Sequence, residues 1–160
     1  MILCTDARLS TEICRRSHVQ TMKLVRLNLQ DLSKMDLPVG TKIVYLRRDP
    51  RAIYNSRNKN TWCKKERCRN ITAMCEELTS DSLALEKFID KRITLVRFED
   101  LALHPVREGK RIYKELDLDY TINVETFLKA HTTDASRTSD HTSTYRNSSA
   151  VISQWKERLI

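Results

Sequence analysis

The stretch KIVYLRRDPRAIYNSR, residues 42–57, decides how the chain folds around it. It begins with a short apolar run rich in β-branched residues, typical of a strand buried in a parallel sheet. Asp49 is a preferred N-cap residue, and Pro50 suits the first position of a helix, where its missing N–H costs nothing. The stretch therefore predicts a strand, a tight turn and a helix that begins at Pro50.

Strands and helices alternate along the chain on either side of this stretch. Residues 21–27 (TMKLVRL) and 93–98 (ITLVRF) also have the composition of strands. Residues 62–90 show a patchy helical period, and a further helix is predicted from Pro105. This alternation predicts βαβ crossovers, and hence an α/β fold with a central parallel sheet flanked by helices. No repeat or linker divides residues 1–160, so a single domain is expected.

Residues 131–149 differ from the rest of the chain in composition. Ten of these nineteen residues are Ser or Thr, and the hydrophobic period disappears. The segment is predicted to be a loop, and long loops in compact domains are often functional.

The positive charge of the chain is concentrated in one segment. Lys and Arg exceed Asp and Glu by 29 to 21, which gives a net charge of +8. Residues 42–69 contain ten basic and two acidic residues and account for the whole excess. An anionic partner is therefore expected there, with phosphate, sulfated sugar and nucleic acid as the alternatives.

The predicted turn at the end of the strand has the features of a phosphate site. Strand carboxyl ends face the ligand crevice in open α/β sheets, and a helix N-terminus offers N–H groups to an anion. Arg48 lies in the turn and can bind a phosphate through two N–H groups. Ala52, Ser56 and Lys59 recur at helical spacing and are predicted to share one face. Guanidinium, hydroxyl and backbone donors would then converge on one phosphate.

These residues resemble those of a known family. YLRRDPRAIYNSR, residues 45–57, resembles the 3′-phosphate-binding segment of sulfotransferases that use 3′-phosphoadenosine 5′-phosphosulfate. Among them it is similar to the Golgi carbohydrate 6-O-sulfotransferases that act on chondroitin, keratan or N-acetylglucosamine units. Residues 14–27, 92–119 and 144–159 resemble the same family in the same order. The resemblance implies a P-loop-NTPase-like sulfotransferase fold, sulfonyl transfer to a carbohydrate hydroxyl, and a location in the Golgi lumen.

The resemblance also assigns roles to individual residues. Arg48 and Ser56 would hold the 3′-phosphate of the nucleotide co-substrate, and Arg146 would lie across the same nucleotide. The second partner would be an anionic glycan acceptor, such as a glycosaminoglycan or an N-acetylglucosamine or galactose unit. No catalytic residue is identified, because a carboxylate is as suitable a base as any of the four histidines, His18, His104, His131 and His141.

The chain departs from the family in one respect. Family members carry an upstream Gly- and Ser-containing loop that holds the 5′-phosphosulfate, whereas the two glycines here, Gly40 and Gly109, lie in no such loop. We therefore expect a partial sulfotransferase domain, incomplete at its N-terminus and shortened at both ends, which puts the activity of the isolated chain in doubt.

The cysteines leave two interpretations open. They show neither the spacing of a zinc site nor a matching histidine pattern, so no metal is expected. They are either small buried hydrophobes or members of disulfides formed in a secretory compartment. Glycosylation sequons at Asn70 and Asn147 agree with the second interpretation. The cysteines are Cys4, Cys14, Cys63, Cys68 and Cys75.

Two other functions are alternatives to sulfonyl transfer. A basic module without catalysis would bind a sulfated glycan or another polyanion through residues 42–69, and a P-loop kinase is disfavoured because its phosphate-binding motif is missing. Nucleic acid is not an expected partner, since few aromatic residues accompany the basic ones. The sequence contains no run of about 18 apolar residues, so it predicts no membrane span.

Two pairs of side chains have a structural and a functional interpretation. Glu99 and Asp100 suit a helix cap or an arginine partner such as Arg97 or Arg48, and the alternative is acid–base chemistry. Trp62 and Trp155 are expected in the core, and the alternative is stacking on adenine or sugar.

Overall fold

The computed structural model describes most of the chain. The described residues are 6–25, 27–59, 62–63, 66–88, 92–133, 145, 147–153 and 155–156. Its helices and strands, in chain order, are α1 (Ala7–Arg16), α2 (Leu29–Leu32), β1 (Ile43–Arg47), α3 (Pro50–Lys59), α4 (Ile71–Leu85), β2 (Ile93–Arg97), α5 (Phe98–Leu103), α6 (Pro105–Glu115), α7 (Ile122–Thr133) and α8 (Ser148–Val151). Short 3₁₀ turns at Glu66–Arg69 and Glu86–Phe88 flank α4.

The two strands form a parallel pair. The register runs from Ile43 opposite Ile93 to Arg47 opposite Arg97. Because a parallel pair needs a long crossover, the chain between the strands contains α3 and α4. The predicted α/β architecture, with a parallel sheet flanked by helices, is confirmed.

A buried carboxylate joins three elements of the core. Asp81 of α4 accepts a hydrogen bond of 2.7 Å from the backbone amide of Leu29 and one of 2.9 Å from the Tyr45 hydroxyl. Burial of the phenol raises the pKa of Tyr45 above its ordinary value, and the hydrogen bond to Asp81 raises it further. Asp81 thereby links α2, β1 and α4.

Helix α6 begins where its sequence predicts. Pro105 occupies its first turn, where no N–H partner is lost. Gly109 allows α7 to approach closely, because a Cβ at this position would lie 2.7 Å from Leu128 Cδ1.

The described residues of the segment 21–27 do not form the predicted strand. Residues 21–25 and Leu27 lie in irregular structure, and Met22 is 83% exposed. A strand is stabilised by a neighbour that pairs with it and covers its apolar side chains, so composition alone is insufficient. β1 is also less buried than predicted, with Val44 46% and Leu46 54% exposed, since β2 is its one partner among the described residues.

Two other boundaries differ from the predictions. Among the described residues, the helix expected over residues 62–90 is shorter, because Glu66–Arg69 form a 3₁₀ turn and α4 begins only at Ile71. Asn70 caps α4 by accepting a hydrogen bond of 3.0 Å from the backbone amide of Ala73. The predicted loop 131–149 is helical at both ends, since α7 extends to Thr133 and α8 begins at Ser148.

One disulfide is present among the described cysteines. Cys63 and Cys68 are bonded, with their Cα atoms 5.7 Å apart. Cys14 and Cys75 carry free, exposed thiols, and Cys4 lies outside the described residues. The disulfide interpretation is therefore confirmed for one pair, and the buried-hydrophobe interpretation is wrong for Cys14 and Cys75.

In the part of the chain that the structure describes, none of the helices has the length and apolar character needed to cross a bilayer.

Candidate anion-binding site

The candidate site lies at the carboxyl edge of the sheet. Parallel pairing of Arg47 with Arg97 brings the ends of both strands to the same edge. The turn that follows β1 therefore lies beside the start of α5, which follows β2 directly. This is the edge at which open α/β sheets bind ligands.

Glu99 fixes the position of the turn. Its Oε1 atom accepts a hydrogen bond of 3.0 Å from the backbone amide of Asp49, fifty residues earlier in the chain. Asp100 forms an ion pair of 3.6 Å with Arg97. The arginine-partner interpretation is thus confirmed for Asp100, while Glu99 binds a backbone amide that the sequence did not indicate.

Arg48 lies over an aromatic ring at this edge. The central carbon of its guanidinium is 4.3 Å from the centroid of the Phe98 ring. Stacking on an aromatic face leaves the in-plane N–H donors of a guanidinium directed away from the ring. Arg48 is half-buried in this position.

The first turn of α3 is capped by Asp49. Asp49 Oδ1 accepts a hydrogen bond of 2.9 Å from the backbone amide of Arg51, and Arg51 Nη2 donates to Oδ2 at 2.7 Å. The Arg51 side chain, assisted by the backbone amides of Arg51 and Ala52, holds the pKa of Asp49 below its ordinary value. The expectation that this helix end offers free N–H groups to an anion is therefore wrong.

The C-terminal segment reaches the same place. The Arg51 guanidinium carbon is 4.6 Å from the centroid of the Trp155 ring, and Trp155 is buried as predicted. Ser148 Oγ donates a hydrogen bond of 2.7 Å to the carbonyl of Ala102 in α5. Ser148 therefore lies against α5, and Trp155 lies against the beginning of α3.

The structure describes some of the other predicted site residues but not all of them. Ser56 and Lys59 are exposed on α3, but Ala52 is buried, so the three do not form one open face. The convergence of Arg48 and Ser56 on one phosphate stays a prediction. Arg146 lies outside the described residues.

None of the histidines is singled out as a base. His18 and His104 are exposed, and His141 lies outside the described residues. The His131 ring stacks between those of Phe127 and Tyr145, at centroid distances of 3.8 and 4.1 Å. Its Nδ1 lies 2.8 Å from the Phe127 carbonyl, which requires the proton on that nitrogen.

Comparison with known proteins agrees with this geometry. The sulfotransferase family model matches residues 37–122, a little more than half of the 160 residues. Carbohydrate sulfotransferase 3 of Rattus norvegicus is 29% identical, in an alignment that covers 94% of this chain and 36% of the relative. Carbohydrate sulfotransferase 1 of Mus musculus is 30% identical over 94% of this chain and 42% of its own length. No solved structure matches the chain.

The chain belongs to the sulfotransferase family. Within that family it is similar to the carbohydrate sulfotransferases, as the resemblance of the sequence implied. It spans less than half the length of these relatives.

Proposed function

We propose that this chain forms the 3′-phosphate side of the nucleotide site of a carbohydrate sulfotransferase. The co-substrate is 3′-phosphoadenosine 5′-phosphosulfate, and Arg48, Ser56 and Arg146 bind it. The observation that carries the proposal is the position of Arg48, stacked on Phe98 at the carboxyl edge shared by two parallel strands.

The charges at this edge suit a phosphate rather than a neutral ligand. Arg51 pairs with Asp49 and Arg97 with Asp100. Glu99 is hydrogen-bonded to the amide of Asp49, so the carboxylates at this edge repel an incoming anion less than bare ones would. Arg48 then supplies the guanidinium that a phosphate binds through two N–H groups. Ser56 lies about 9 Å along the helix from Pro50, so a phosphate would have to sit between the turn and the second turn of α3 to contact both Arg48 and the Ser56 hydroxyl.

The proposed reaction is an in-line transfer. A sugar hydroxyl oxygen attacks sulfur, the bond from sulfur to the bridging phosphate oxygen breaks, and 3′-phosphoadenosine 5′-phosphate leaves. The hydroxyl proton passes to a general base that is not identified among the residues of this chain. The residues described here would bind and orient the nucleotide, which contributes to the rate by positioning. The acceptor is an anionic glycan, and the compartment is the Golgi lumen.

Calorimetric titration with two nucleotides tests the proposal. The chain should bind 3′-phosphoadenosine 5′-phosphate at least tenfold more tightly than adenosine 5′-phosphate, which lacks the 3′-phosphate. Arg48→Ala should weaken binding of the first nucleotide about tenfold to a hundredfold, as expected for a lost charged hydrogen bond, and leave the second almost unchanged.

Lys42→Ala is the matched control. Lys42 carries the same charge and lies just before β1, about 17 Å of strand away from the carboxyl edge. It should leave the preference for the 3′-phosphate intact. Equal weak binding of both nucleotides, reduced alike by both substitutions and falling steeply with salt, would instead indicate the basic module without catalysis.

A further inference from the structure

Trp62 is an exposed aromatic side chain on an anchored backbone. The residue is 60% exposed, although tryptophan is usually largely buried or placed at an interface. Its neighbour Cys63 is fully buried and bonded to Cys68. Since the disulfide fixes the adjacent backbone, holding Trp62 in a complex costs little further backbone entropy.

The disulfide is also attached to α3. Arg57 Nη1 donates a hydrogen bond of 3.4 Å to the carbonyl of Cys68, in the 3₁₀ turn Glu66–Arg69. Trp62 and the turn are therefore held near the C-terminal end of α3, whereas the candidate nucleotide site lies at its N-terminal end. Ten residues of helix separate the two places by about 15 Å.

Three exposed cationic side chains lie in the same part of the chain. Lys59 ends α3, and Arg67 and Arg69 belong to the 3₁₀ turn. Arg67 forms an ion pair of 3.4 Å with Glu77, but its side chain is 80% exposed, and an exposed pair of this kind is weak. An anionic ligand can therefore compete for Arg67.

The combination of an exposed indole and cationic side chains restricts the class of ligand that could bind. The flat face of an indole suits the C–H face of a pyranose ring, and guanidinium groups suit sulfate or carboxylate. A neutral sugar would leave the cations unused, and a small inorganic anion would leave the indole unused. An anionic polysaccharide uses both.

We propose that Trp62, Lys59, Arg67 and Arg69 form a second binding site, which holds an anionic glycan chain apart from the reacting sugar. This inference rests on the proposed function for the class of glycan, since a sulfotransferase of this kind would meet such a chain as its acceptor. Contacts about 15 Å from the nucleotide favour long acceptors over short ones.

Binding of a chondroitin hexasaccharide to the whole chain tests the inference. Its glucuronate carboxylates supply the charge and its sugar rings supply the apolar faces. Trp62→Ala should raise the Kd about tenfold, and Trp62→Phe should restore most of the affinity because it keeps an aromatic face. The double substitution Arg67→Ala with Arg69→Ala should raise the Kd and flatten its dependence on salt.

Control variants remove the same groups elsewhere. Phe127→Ala removes an exposed aromatic from α7, and Arg15→Ala removes an exposed cation from α1. Both should leave the Kd for the hexasaccharide unchanged. Binding that is indifferent to Trp62, or a single-stranded oligonucleotide of equal charge that binds more tightly through Trp62, would overturn the inference.

Titration with 3′-phosphoadenosine 5′-phosphate separates the two proposals. Trp62→Ala should leave the nucleotide Kd unchanged. If the nucleotide does not bind but the hexasaccharide binds through Trp62, the glycan site stands and the proposed function fails. If the nucleotide binds as proposed and Trp62 has no effect on the hexasaccharide, the glycan site alone fails.

Discussion

The carboxylate of Glu99 accepts a 3.0 Å hydrogen bond from the backbone amide of Asp49. This contact joins the turn after β1 to the first turn of α5, at the edge where Arg48 stacks on Phe98. It is a side-chain bond to a backbone group, so it fixes the path of the main chain and not merely a side-chain conformation.

Removing this acceptor should destabilise the fold. Glu99→Ala leaves the part-buried amide of Asp49 without its partner, which should lower the free energy of unfolding by about 1–2 kcal/mol. Glu99→Gln retains a carbonyl oxygen and should lose less than half of that. Urea unfolding of the three proteins measures the difference, and equal stability of the alanine and wild-type chains would contradict the role assigned to Glu99.

Asp49 should make stability depend on acid. Arg51 holds the pKa of Asp49 below its ordinary value of 3.8, so the carboxylate's contribution is complete above that pH and is lost as the pH falls through the lower folded pKa. Asp49→Asn keeps a capping side chain but does not titrate. The difference in unfolding free energy between wild type and Asp49→Asn should therefore be constant at pH 5–7 and shrink towards pH 2.

The alanine variant at the same position isolates the cap. Asp49→Ala should lower the free energy of unfolding by about 1 kcal/mol at pH 7, in the usual range for a lost N-cap. A difference between wild type and Asp49→Asn that grows on acidification would contradict the assigned pKa of Asp49.

The hydroxyl of Tyr45 should contribute through its bond to Asp81. Tyr45→Phe removes a hydrogen bond to a carboxylate and should lower the free energy of unfolding by about 1.5–3 kcal/mol. Because the folded pKa of Tyr45 is raised, wild-type stability should fall as the pH rises above the ordinary value of 10.0, and fall less in Tyr45→Phe. Denaturant unfolding at pH 8 and above pH 10 provides both measurements.

The free cysteines should react with a thiol reagent, and the disulfide-bonded ones should not. Without reductant, maleimide should label Cys14 and Cys75 but not Cys63 or Cys68, as read by peptide mass spectrometry. Replacing Cys63 and Cys68 with alanine should lower the free energy of unfolding by about 2 kcal/mol, since a short closed loop is released. Cys75→Ala is the control and should change stability little.

The local parts of the fold were predictable from sequence. The strand, cap and helix start in residues 42–57 depend on neighbouring residues only, and each was found as expected. The strand predicted over residues 21–27 failed because pairing depends on a partner elsewhere. The prediction that Trp62 lies in the core was wrong. Its burial depends on what surrounds the Cys63–Cys68 disulfide and not on the residue type.

The contacts at the candidate site that the sequence did not predict join residues far apart in the chain. Phe98 under Arg48 and Glu99 on Asp49 are contacts between residues about fifty positions apart. They follow from the pairing of Arg47 with Arg97, and that register is not encoded by any pattern within either strand. Once the register is known, both contacts are expected, because each strand ends one residue before its part of the site.

The parallel register also governs how the protein reaches its native state. Pairing of Ile43 with Ile93 closes about 50 residues of chain into one loop. The entropic cost of closing this loop is larger than that of forming contacts between residues close in sequence. We therefore expect the local helices to form before the two strands pair, and strand pairing to limit the refolding rate. Mutations in the crossover should alter refolding kinetics even where they leave nucleotide affinity untouched.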